Sequence, residues 1–185
     1  MEQPTIHEVI LSGGDPLSLS DTRLDQLIEQ IEAIPHIQRL RLHSRLPLVL
    51  PTRLTHALID RLQNSRLQTS MVLHCNHPAE LSPVLKPGLA ALRRAEVTLL
   101  NQSVLLAGVN DQVSILQQLS EQLFAYGILP YYIHLLDPVE GAAHFAVPAE
   151  TITTLQTALR ARLPGYLVPR MVREIAGEPA KTPFL

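Results

Sequence analysis

Apolar residues recur along this chain with two alternating periods. Five stretches repeat them every three to four residues, which is the period of a helix with one buried face. Short apolar runs of strand length lie between these stretches. The predicted helices cover residues 21–34, 55–62, 89–92, 112–126 and 148–159, and the predicted strands cover 8–11, 39–43, 69–74, 97–101 and 129–136. Gly127 directly follows the fourth helix, where a glycine commonly ends a helix.

The regular alternation of strand and helix predicts parallel βα units, joined by crossovers that are almost always right-handed. The chain shows no internal repeat or linker, so we expect one α/β domain, either a barrel or a doubly wound sheet. Five strands are few for a barrel, and the two outermost strands would have unpaired edges. The tail after Leu163 has little periodicity. We therefore expect the chain to be part of a larger domain.

The composition is that of an ordinary globular protein. Hydrophobic residues make up 46% and charged residues 17% of the 185 residues. No apolar run reaches the length of about eighteen residues that a membrane span needs, and the start, Met1-Glu2-Gln3-Pro4, does not resemble a signal peptide. We expect a cytoplasmic protein without membrane contact. The net charge of −2 and the lack of a basic block argue against a nucleic-acid partner.

Two residue types are scarce, and each limits the chemistry. Cys75 is the single cysteine, so these residues form no internal disulfide and cannot supply the several thiolates of an iron–sulfur or zinc site. Lysine occurs only at Lys86 and Lys181, against thirteen arginines. Arginine cannot form a Schiff base, so a covalent aldehyde cofactor would have two attachment sites. Lys86 is interpreted as a solvated loop residue, whereas Lys181 lies among small residues and prolines that could hold it in place.

Polar or glycine-rich residues follow each predicted strand. In parallel α/β folds, ligands bind beyond the carboxyl ends of the strands, which share one rim. The residues at these ends are Ser12-Gly13-Gly14-Asp15, His43-Ser44-Arg45, His74-Cys75-Asn76-His77, Asn101-Gln102-Ser103 and Asp137. Their shared location predicts a binding or catalytic site at this rim.

Each of these groups also has a purely structural interpretation, and the residues alone leave it open. The glycine loop could be only a tight turn, because glycine and proline dominate turns. His74 and His77 could be histidines at a strand end that bind no ligand. The segment 101–103 could cap the next element, and Asp137 could simply begin a turn.

Longer strings surround these residues in a fixed order and spacing. They are Leu11-Ser12-Gly13-Gly14-Asp15-Pro16, His43-Ser44-Arg45-Leu46-Pro47, Asn76-His77-Pro78, Asn101-Gln102-Ser103-Val104-Leu105-Leu106, Gly108-Val109-Asn110-Asp111 and Pro130-Tyr131-Tyr132-Ile133. Together they resemble the lysine 2,3-aminomutase family over essentially all 185 residues. Three more strings resemble most closely the branch that makes β-lysine for elongation factor P: Leu135-Leu136-Asp137, Gly141-Ala142-Ala143-His144-Phe145 and Arg173-Glu174-Ile175.

The resemblance implies a fold and a set of cofactors. Residues 1–163 would form a partial (β/α) barrel of the radical S-adenosylmethionine type with about five βα units, and residues 164–185 would carry the cofactor lysine. The family uses S-adenosylmethionine, a [4Fe–4S] cluster and pyridoxal phosphate. The cluster cleaves S-adenosylmethionine to a 5′-deoxyadenosyl radical, the radical takes a hydrogen from lysine, and the amino group moves from C2 to C3. The cofactors carry this chemistry and the protein positions them.

The resemblance also implies where S-adenosylmethionine binds. The glycines of the loop leave backbone amides free to approach the methionyl end of the ligand. The residues expected near S-adenosylmethionine are Ser12, Gly13, Gly14, Asp15, His74 and Gln102.

The remaining matched residues imply the pyridoxal-phosphate and substrate sites. Lys181 matches the lysine that binds pyridoxal phosphate covalently and is the expected catalytic residue. Asp137 matches an acid that binds the side-chain ammonium of the substrate lysine, a charge-assisted pair. The second such acid is often aspartate in the family, and Glu174 stands at the matching position here. Its longer side chain would change the fit of the substrate.

One family feature has no match among these residues. The cluster is held by a Cys-x3-Cys-x2-Cys loop that precedes the glycine loop, and Cys75 does not correspond to it. The family barrel has six strands, and its first strand also lacks a match. We therefore expect an N-terminally truncated member, with no metal ligands of its own and inactive alone. For the parent we expect lysine as substrate, a link to elongation factor P modification and association into homo-oligomers.

Two other hypotheses stay open. The chain could be a non-catalytic barrel fragment that acts as a binding module, which requires that it unfold cooperatively without the missing segment. It could also be a cluster-free Schiff-base enzyme that uses Lys181, which would turn over an amino acid or aldehyde without iron or S-adenosylmethionine.

Overall fold

The computed structural model of the protein describes residues 4–137, 139–178 and 180–184. Expectations that rest on Met1-Glu2-Gln3, Pro138 or Pro179 lie outside the described residues. The helices of the described part are α1 (Asp21–Glu32), α2 (Leu46–Val49), α3 (His56–Gln63), α4 (Lys86–Arg94), α5 (Val113–Ala125) and α6 (Ala149–Arg162). The strands are β1 (Glu8–Leu11), β2 (Arg39–Ser44), β3 (Gln68–Leu73), β4 (Thr98–Leu105), β5 (Leu129–Leu135), β6 (Arg170–Arg173) and β7 (Thr182–Pro183).

The α/β fold class that the sequence predicts is confirmed. All five predicted strands and all five predicted helices are present, with most ends shifted by a few residues. The elements that were not expected include the short helix α2, the strands β6 and β7 in the tail, and several 3-10 turns. The seven strands form one sheet in chain order from β1 to β7. No helix of the described residues is long and apolar enough to cross a membrane.

The chain divides into two compact units. Unit 1 comprises Met1–His74 and Ser82–Leu100, and unit 2 comprises Cys75–Leu81 and Asn101–Leu185. The first three residues of β4 belong to unit 1 and the others to unit 2. The predicted boundary after residue 163 stays a prediction.

Unit 1 contains the first three strands, which pair in parallel. Parallel neighbours need a crossover connection, and the crossovers here contain α1 and α3. Each helix begins at a side-chain cap: Ser20 Oγ accepts from the Arg23 amide, and Thr55 Oγ1 accepts from the Leu58 amide. The largest fully buried side chains lie in this unit: Leu17, Leu24, Ile28, Leu40, Leu42, Leu58, Leu62, Met71, Leu73, Leu85, Leu89 and Leu92.

Unit 2 contains a parallel pair, β5 with β6, and an antiparallel pair, β6 with β7. Helix α5 ends as the sequence predicts: Gly127 has a φ of +79°, and the Ile128 amide bonds the Leu123 carbonyl at 2.9 Å. Helices α5 and α6 cover the strands with one apolar cluster: Leu105, Leu116, Ile133, Leu135, Ile152, Leu155, Leu159, Leu163, Leu167 and Met171. This cluster holds the carboxyl end of β5 and the tail strands in place.

Candidate active site

The glycine loop, residues 12–15, follows β1 in unit 1. Ser12, Gly13 and Gly14 are exposed, and Gly14 has a φ of +64°, a left-handed conformation that glycine adopts without strain. A methyl group on either glycine would meet no atom within 4 Å. The loop backbone is therefore open to a ligand, which fits the expected approach of the methionyl end of S-adenosylmethionine.

Asp15 anchors this loop through all of its acceptor positions. Its Oδ1 accepts hydrogen bonds from the Leu17 amide at 3.0 Å and from the Ser44 hydroxyl at 2.7 Å. Its Oδ2 accepts from the amides of Arg45 at 2.9 Å and Leu46 at 3.1 Å. A carboxylate offers about four such positions. Asp15 thus ties the loop to the start of α2, and its expected direct contact with the cofactor stays a prediction.

His43 and His74 lie together where β2 and β3 end in unit 1. The two rings meet edge to face with centroids 5.6 Å apart, and His74 Nε2 lies 3.5 Å from His43 Nδ1. In such a pair one nitrogen donates and the other accepts, according to the tautomers. The expected S-adenosylmethionine residue His74 therefore has a second imidazole as its neighbour, in the same unit as the glycine loop.

Strand β4 corrects one expectation about the polar strand ends. Residues 101–103 do not follow the strand but lie inside it, because β4 continues to Leu105. Asn101 is buried, and its side chain forms two hydrogen bonds with the backbone of Cys75. Nδ2 donates to the Cys75 carbonyl at 3.0 Å, and Oδ1 accepts from the Cys75 amide at 2.9 Å. Period-two alternation puts Gln102 on the opposite, half-buried face. The expected contact of Gln102 with S-adenosylmethionine stays a prediction.

The asparagines of two other family strings form an internal scaffold in unit 2. Asn76 Oδ1 accepts from the Val104 amide at 2.9 Å. Asn110, which is fully buried, donates from Nδ2 to the carbonyls of Asn76 and Val104, each at 2.9 Å, and accepts from the Leu106 amide at 2.8 Å. These bonds satisfy polar groups that would be costly to bury unpaired. The two asparagines therefore hold the backbone of these loops together.

The tail strands bring Glu174 and Lys181 together in unit 2. Because β6 and β7 are antiparallel, Arg173 lies opposite Thr182, and the residues just beyond this pair face each other. Lys181 Nζ donates a hydrogen bond to Glu174 Oε1 and forms an ion pair with it. The expected cofactor lysine and the expected substrate acid are therefore in direct contact.

Strand β5 adds two side chains to this pair. The Lys181 Nζ lies 6.0 Å from the centroid of the Tyr132 ring, within the range of a cation–π contact. His134 Nδ1 lies 3.9 Å from Glu174 Oε1, and the His134 and Tyr132 rings meet edge to face at 5.8 Å. Among the described residues, His134 Nε2 is buried and has no hydrogen-bond partner.

The charges of this cluster influence one another. The hydrogen bond and the charge of Lys181 lower the pKa of the Glu174 carboxyl. Burial lowers the pKa of His134, the Lys181 charge lowers it further, and the charges of Glu174 and Asp137 oppose that shift. Asp137 is exposed two residues beyond the end of β5, and its effect on His134 brings it into the same electrostatic environment. Unit 2 thus combines the three residues expected at the cofactor and substrate sites.

The two lysines differ in their surroundings. Lys181 is one-third exposed, close to an acid and an aromatic ring, so an aldehyde can reach an amine that is held in place. Lys86 is exposed at the first turn of α4. The residues around Lys181 are compatible with a covalently bound aldehyde cofactor.

The 185 residues do not supply the ligands of an iron–sulfur cluster. Cys75 is the only cysteine, it is buried, and its thiol donates to the His77 carbonyl at 3.3 Å. No group of three or more potential metal-ligating His, Cys, Asp or Glu side chains occurs in the described part of the chain. Any thiolate cage would need cysteines from outside these 185 residues.

Tyr132 and His134 are the site residues that sequence analysis missed. Tyr132 lies in a string that was noted for its family resemblance, but neither residue was given a role. The signal that could have found them is the alternation in β5, where buried Ile133 and Leu135 leave Tyr132 and His134 on the other face. A histidine on that face near a strand end is a candidate site residue.

Comparison with known proteins places the chain more narrowly. It is 52% identical over 181 residues to the L-lysine 2,3-aminomutase of Escherichia coli, which covers 98% of this chain and 53% of the relative. It is 52% identical over 177 residues to the enzyme of the same name from Haemophilus influenzae, covering 96% and 52%. No protein-family model matches. The chain therefore spans about half the length of these curated relatives.

Solved structures share the fold at low sequence identity. A radical SAM methyltransferase from Sphaerobacter thermophilus aligns with a TM-score of 0.64 and 17% identity, over 91% of this chain and 51% of that one. Streptococcus suis SuiB bound to S-adenosylmethionine aligns with a TM-score of 0.61 and 13% identity, over 92% and 40%. The fold is therefore the α/β fold found in radical S-adenosylmethionine enzymes, and over nearly its whole length the sequence is similar to curated L-lysine 2,3-aminomutases.

Proposed function

We propose that this chain carries the S-adenosylmethionine-binding and pyridoxal-phosphate-binding residues of a cytoplasmic lysine 2,3-aminomutase. The enzyme would convert L-lysine to β-lysine for the modification of elongation factor P. The observation that carries the proposal is the direct contact between Lys181, at the cofactor position of the family, and Glu174, at its substrate position. The identity of 52% to curated L-lysine 2,3-aminomutases supports the same conclusion.

In this proposal the glycine loop receives S-adenosylmethionine. The exposed backbone of Ser12, Gly13 and Gly14 has room for the methionyl end, and Asp15 keeps that backbone in one conformation through its four hydrogen bonds. His74 and Gln102 would complete the binding residues.

Unit 2 would supply the substrate and cofactor contacts. Lys181 would hold pyridoxal phosphate, and the carboxylates of Asp137 and Glu174 would bind the side-chain ammonium of lysine, because opposite charges and charge-assisted hydrogen bonds favour that pairing. Two acids select a substrate with a cationic side chain and disfavour a neutral one, which would leave the carboxylates unpaired. The hydrogen bond and the charge of Lys181 lower the pKa of the Glu174 carboxyl, which favours its ionised form.

Bound together, the cofactors would supply the radical that removes a hydrogen from lysine and the conjugated system that lets the amino group move. We propose that the cluster ligands come from a Cys-x3-Cys-x2-Cys segment outside these residues, so no step is assigned here to Cys75. Homo-oligomer formation is part of the same proposal.

The test is an activity assay on a chimera. A Cys-x3-Cys-x2-Cys segment of the kind that the family resemblance implies, placed before this chain, should give a protein that cleaves S-adenosylmethionine and forms β-lysine from L-lysine under anoxic, reducing conditions. The Lys181→Ala chimera should still cleave S-adenosylmethionine but form no β-lysine. A folded chimera that cleaves S-adenosylmethionine and leaves lysine unchanged would contradict the proposal.

A further inference from the structure

The imidazole of His74 has a specific partner in unit 1, the imidazole of His43. His43 lies in β2 opposite Val72 of β3 in the parallel register, and His74 is the second residue beyond Val72. Side chains two positions apart point to the same face of a strand, which brings the two imidazoles to one face. His74 Nε2 lies 3.5 Å from His43 Nδ1, and the rings meet edge to face with centroids 5.6 Å apart.

The two histidines differ in how firmly their backbone is held. His43 lies inside β2 between Leu42 and Ser44, whose exposures are 0% and 1%, and the Ser44 hydroxyl donates to Asp15 at 2.7 Å. His74 directly follows the last residue of β3, so its backbone lies beyond the paired register of β2 and β3. The firmly held imidazole can therefore fix the orientation of the other one.

The contact also couples the protons of the two rings. A neutral imidazole has one N–H donor and one acceptor nitrogen, and the hydrogen bond at one nitrogen determines the role of the other. Between His74 Nε2 and His43 Nδ1, one nitrogen donates and the other accepts. A ligand beside His74 then meets one defined arrangement of donor and acceptor instead of two.

We propose that His43 is a positioning residue that holds the His74 ring in one orientation and one tautomer for S-adenosylmethionine. The inference rests on the proposed function, in which His74 helps to bind S-adenosylmethionine, and adds a residue that acts through His74. A side chain that a neighbour has already ordered loses less entropy when a ligand binds. His43 therefore raises the affinity for the ligand through His74.

The experiment measures the binding of S-adenosylmethionine to the 185-residue chain by isothermal titration calorimetry. His43→Phe keeps an aromatic ring without nitrogens, and His43→Asn keeps a donor and an acceptor near the position of Nδ1. The control His56→Phe makes the same exchange at an exposed histidine that begins α3 in the same unit. Nuclear magnetic resonance of the ring nitrogens, assigned with His74→Ala, records the tautomer of His74. Circular dichroism establishes that each form is folded.

His43→Phe should weaken S-adenosylmethionine binding about three- to tenfold, which is the effect of ordering one freed side chain on binding. His74 should then populate both tautomers. His43→Asn should restore most of the affinity, and His56→Phe should match the unchanged chain. In the His74→Ala background, His43→Phe should have no further effect, because residues that act through one another are not additive.

Equal affinities of His43→Phe and the unchanged chain, with weaker binding by His74→Ala, would overturn the positioning role and leave the proposed function intact. The same would follow if His43→Phe weakened binding equally with and without the His74 imidazole, because His43 would then act on the ligand directly. Two equally populated tautomers of His74 in the unchanged chain would also overturn the positioning role. Full binding by His74→Ala, or no binding by any folded form, would overturn both this inference and the S-adenosylmethionine site of the proposed function.

Discussion

The candidate site residues of unit 1 and those of unit 2 are held in place by different kinds of contact. In unit 1, the glycine loop ends at Asp15, whose carboxylate accepts four hydrogen bonds: from the Leu17 amide, from the Ser44 hydroxyl at the end of β2, and from two amides at the start of α2. In unit 2, the tail with Lys181 is held by a two-residue strand and by an ion pair with Glu174, which is more than half exposed. The carboxylate of Asp15 therefore has all of its acceptor positions occupied, whereas the ion pair of Lys181 and Glu174 is partly exposed to solvent.

This difference between the contacts of Asp15 and those of Lys181 matches the functions that we propose for the two groups of residues. A ligand that must be cleaved at one defined bond needs a binding loop with a single conformation. A lysine that must change from an ion pair to a covalent bond needs a contact that breaks easily. Asp15 therefore has a stabilising function, whereas the ion pair of Glu174 can break. Each function can be tested by replacing the acid.

The largest effect should come from Asp15→Ala. The change leaves up to four donors without their acceptor, and we expect a loss of about 2–4 kcal/mol in the free energy of unfolding. Ser44→Ala removes only one of these bonds and should cost about 1 kcal/mol. Urea denaturation followed by circular dichroism measures both. Equal, small losses for the two variants would show that Asp15 does not anchor the loop.

A smaller effect should appear as a difference in acid sensitivity between two glutamates. Burial alone would raise the pKa of Glu32 in unit 1, but hydrogen bonds from Arg61 and Ser65 lower it below its ordinary 4.5. Lys181 lowers the pKa of Glu174 below the same value. A carboxyl with a lowered pKa stabilises the fold above its ordinary value, and that contribution is lost as the pH falls through the lowered pKa.

We therefore expect Glu32→Gln to flatten the loss of stability below about pH 4.5 more than Glu174→Gln does. The Glu32 side chain is only 20% exposed, against 57% for Glu174, so its interactions are less weakened by solvent. Denaturation at a series of pH values measures the slopes. If Glu174→Gln flattened the loss of stability at low pH more than Glu32→Gln does, the comparison between the two glutamates would be reversed.

The smallest effect should be a change in the titration of His134. The charge of Lys181 contributes to the lowering of its pKa, after burial, so Lys181→Met should raise the pKa of His134. Lys86→Met, which removes a charge from unit 1, should leave it unchanged. Nuclear magnetic resonance of the imidazole protons, assigned with His134→Gln, measures the shift. An unchanged pKa in Lys181→Met would place Lys181 away from the cluster in solution.

The sequence predicted most of the fold because its apolar residues recur regularly with helical or strand spacing. Strand β1 has the bounds that the pattern indicates, and every predicted helix formed. Strand β6 was missed because only Met171 and Val172 are buried between two exposed arginines, which is too short a run to stand out. The extension of β4 beyond Asn101 was missed because the polar Gln102 and Ser103 were taken to follow the strand, although both lie within it and Ser103 is buried.

The family resemblance predicted which residues are candidates for the site. It did not predict the contacts among them that depend on the pairing of the tail strands. The family resemblance predicted Lys181 and Glu174 as separate site residues. Their direct contact depends on the pairing of β6 with β7, a strand of two residues that no periodic pattern reveals. The saturation of Asp15 depends likewise on backbone amides at the start of α2, which the sequence did not predict.

The central claim is that Lys181 is the attachment site for pyridoxal phosphate. The direct measurement is to incubate the folded chain with pyridoxal phosphate, reduce it with borohydride and map the labelled peptide by mass spectrometry. We expect the label at Lys181, retained in Lys86→Arg and lost in Lys181→Arg. A folded chain that takes up no label, or takes it up only at Lys86, would contradict the account.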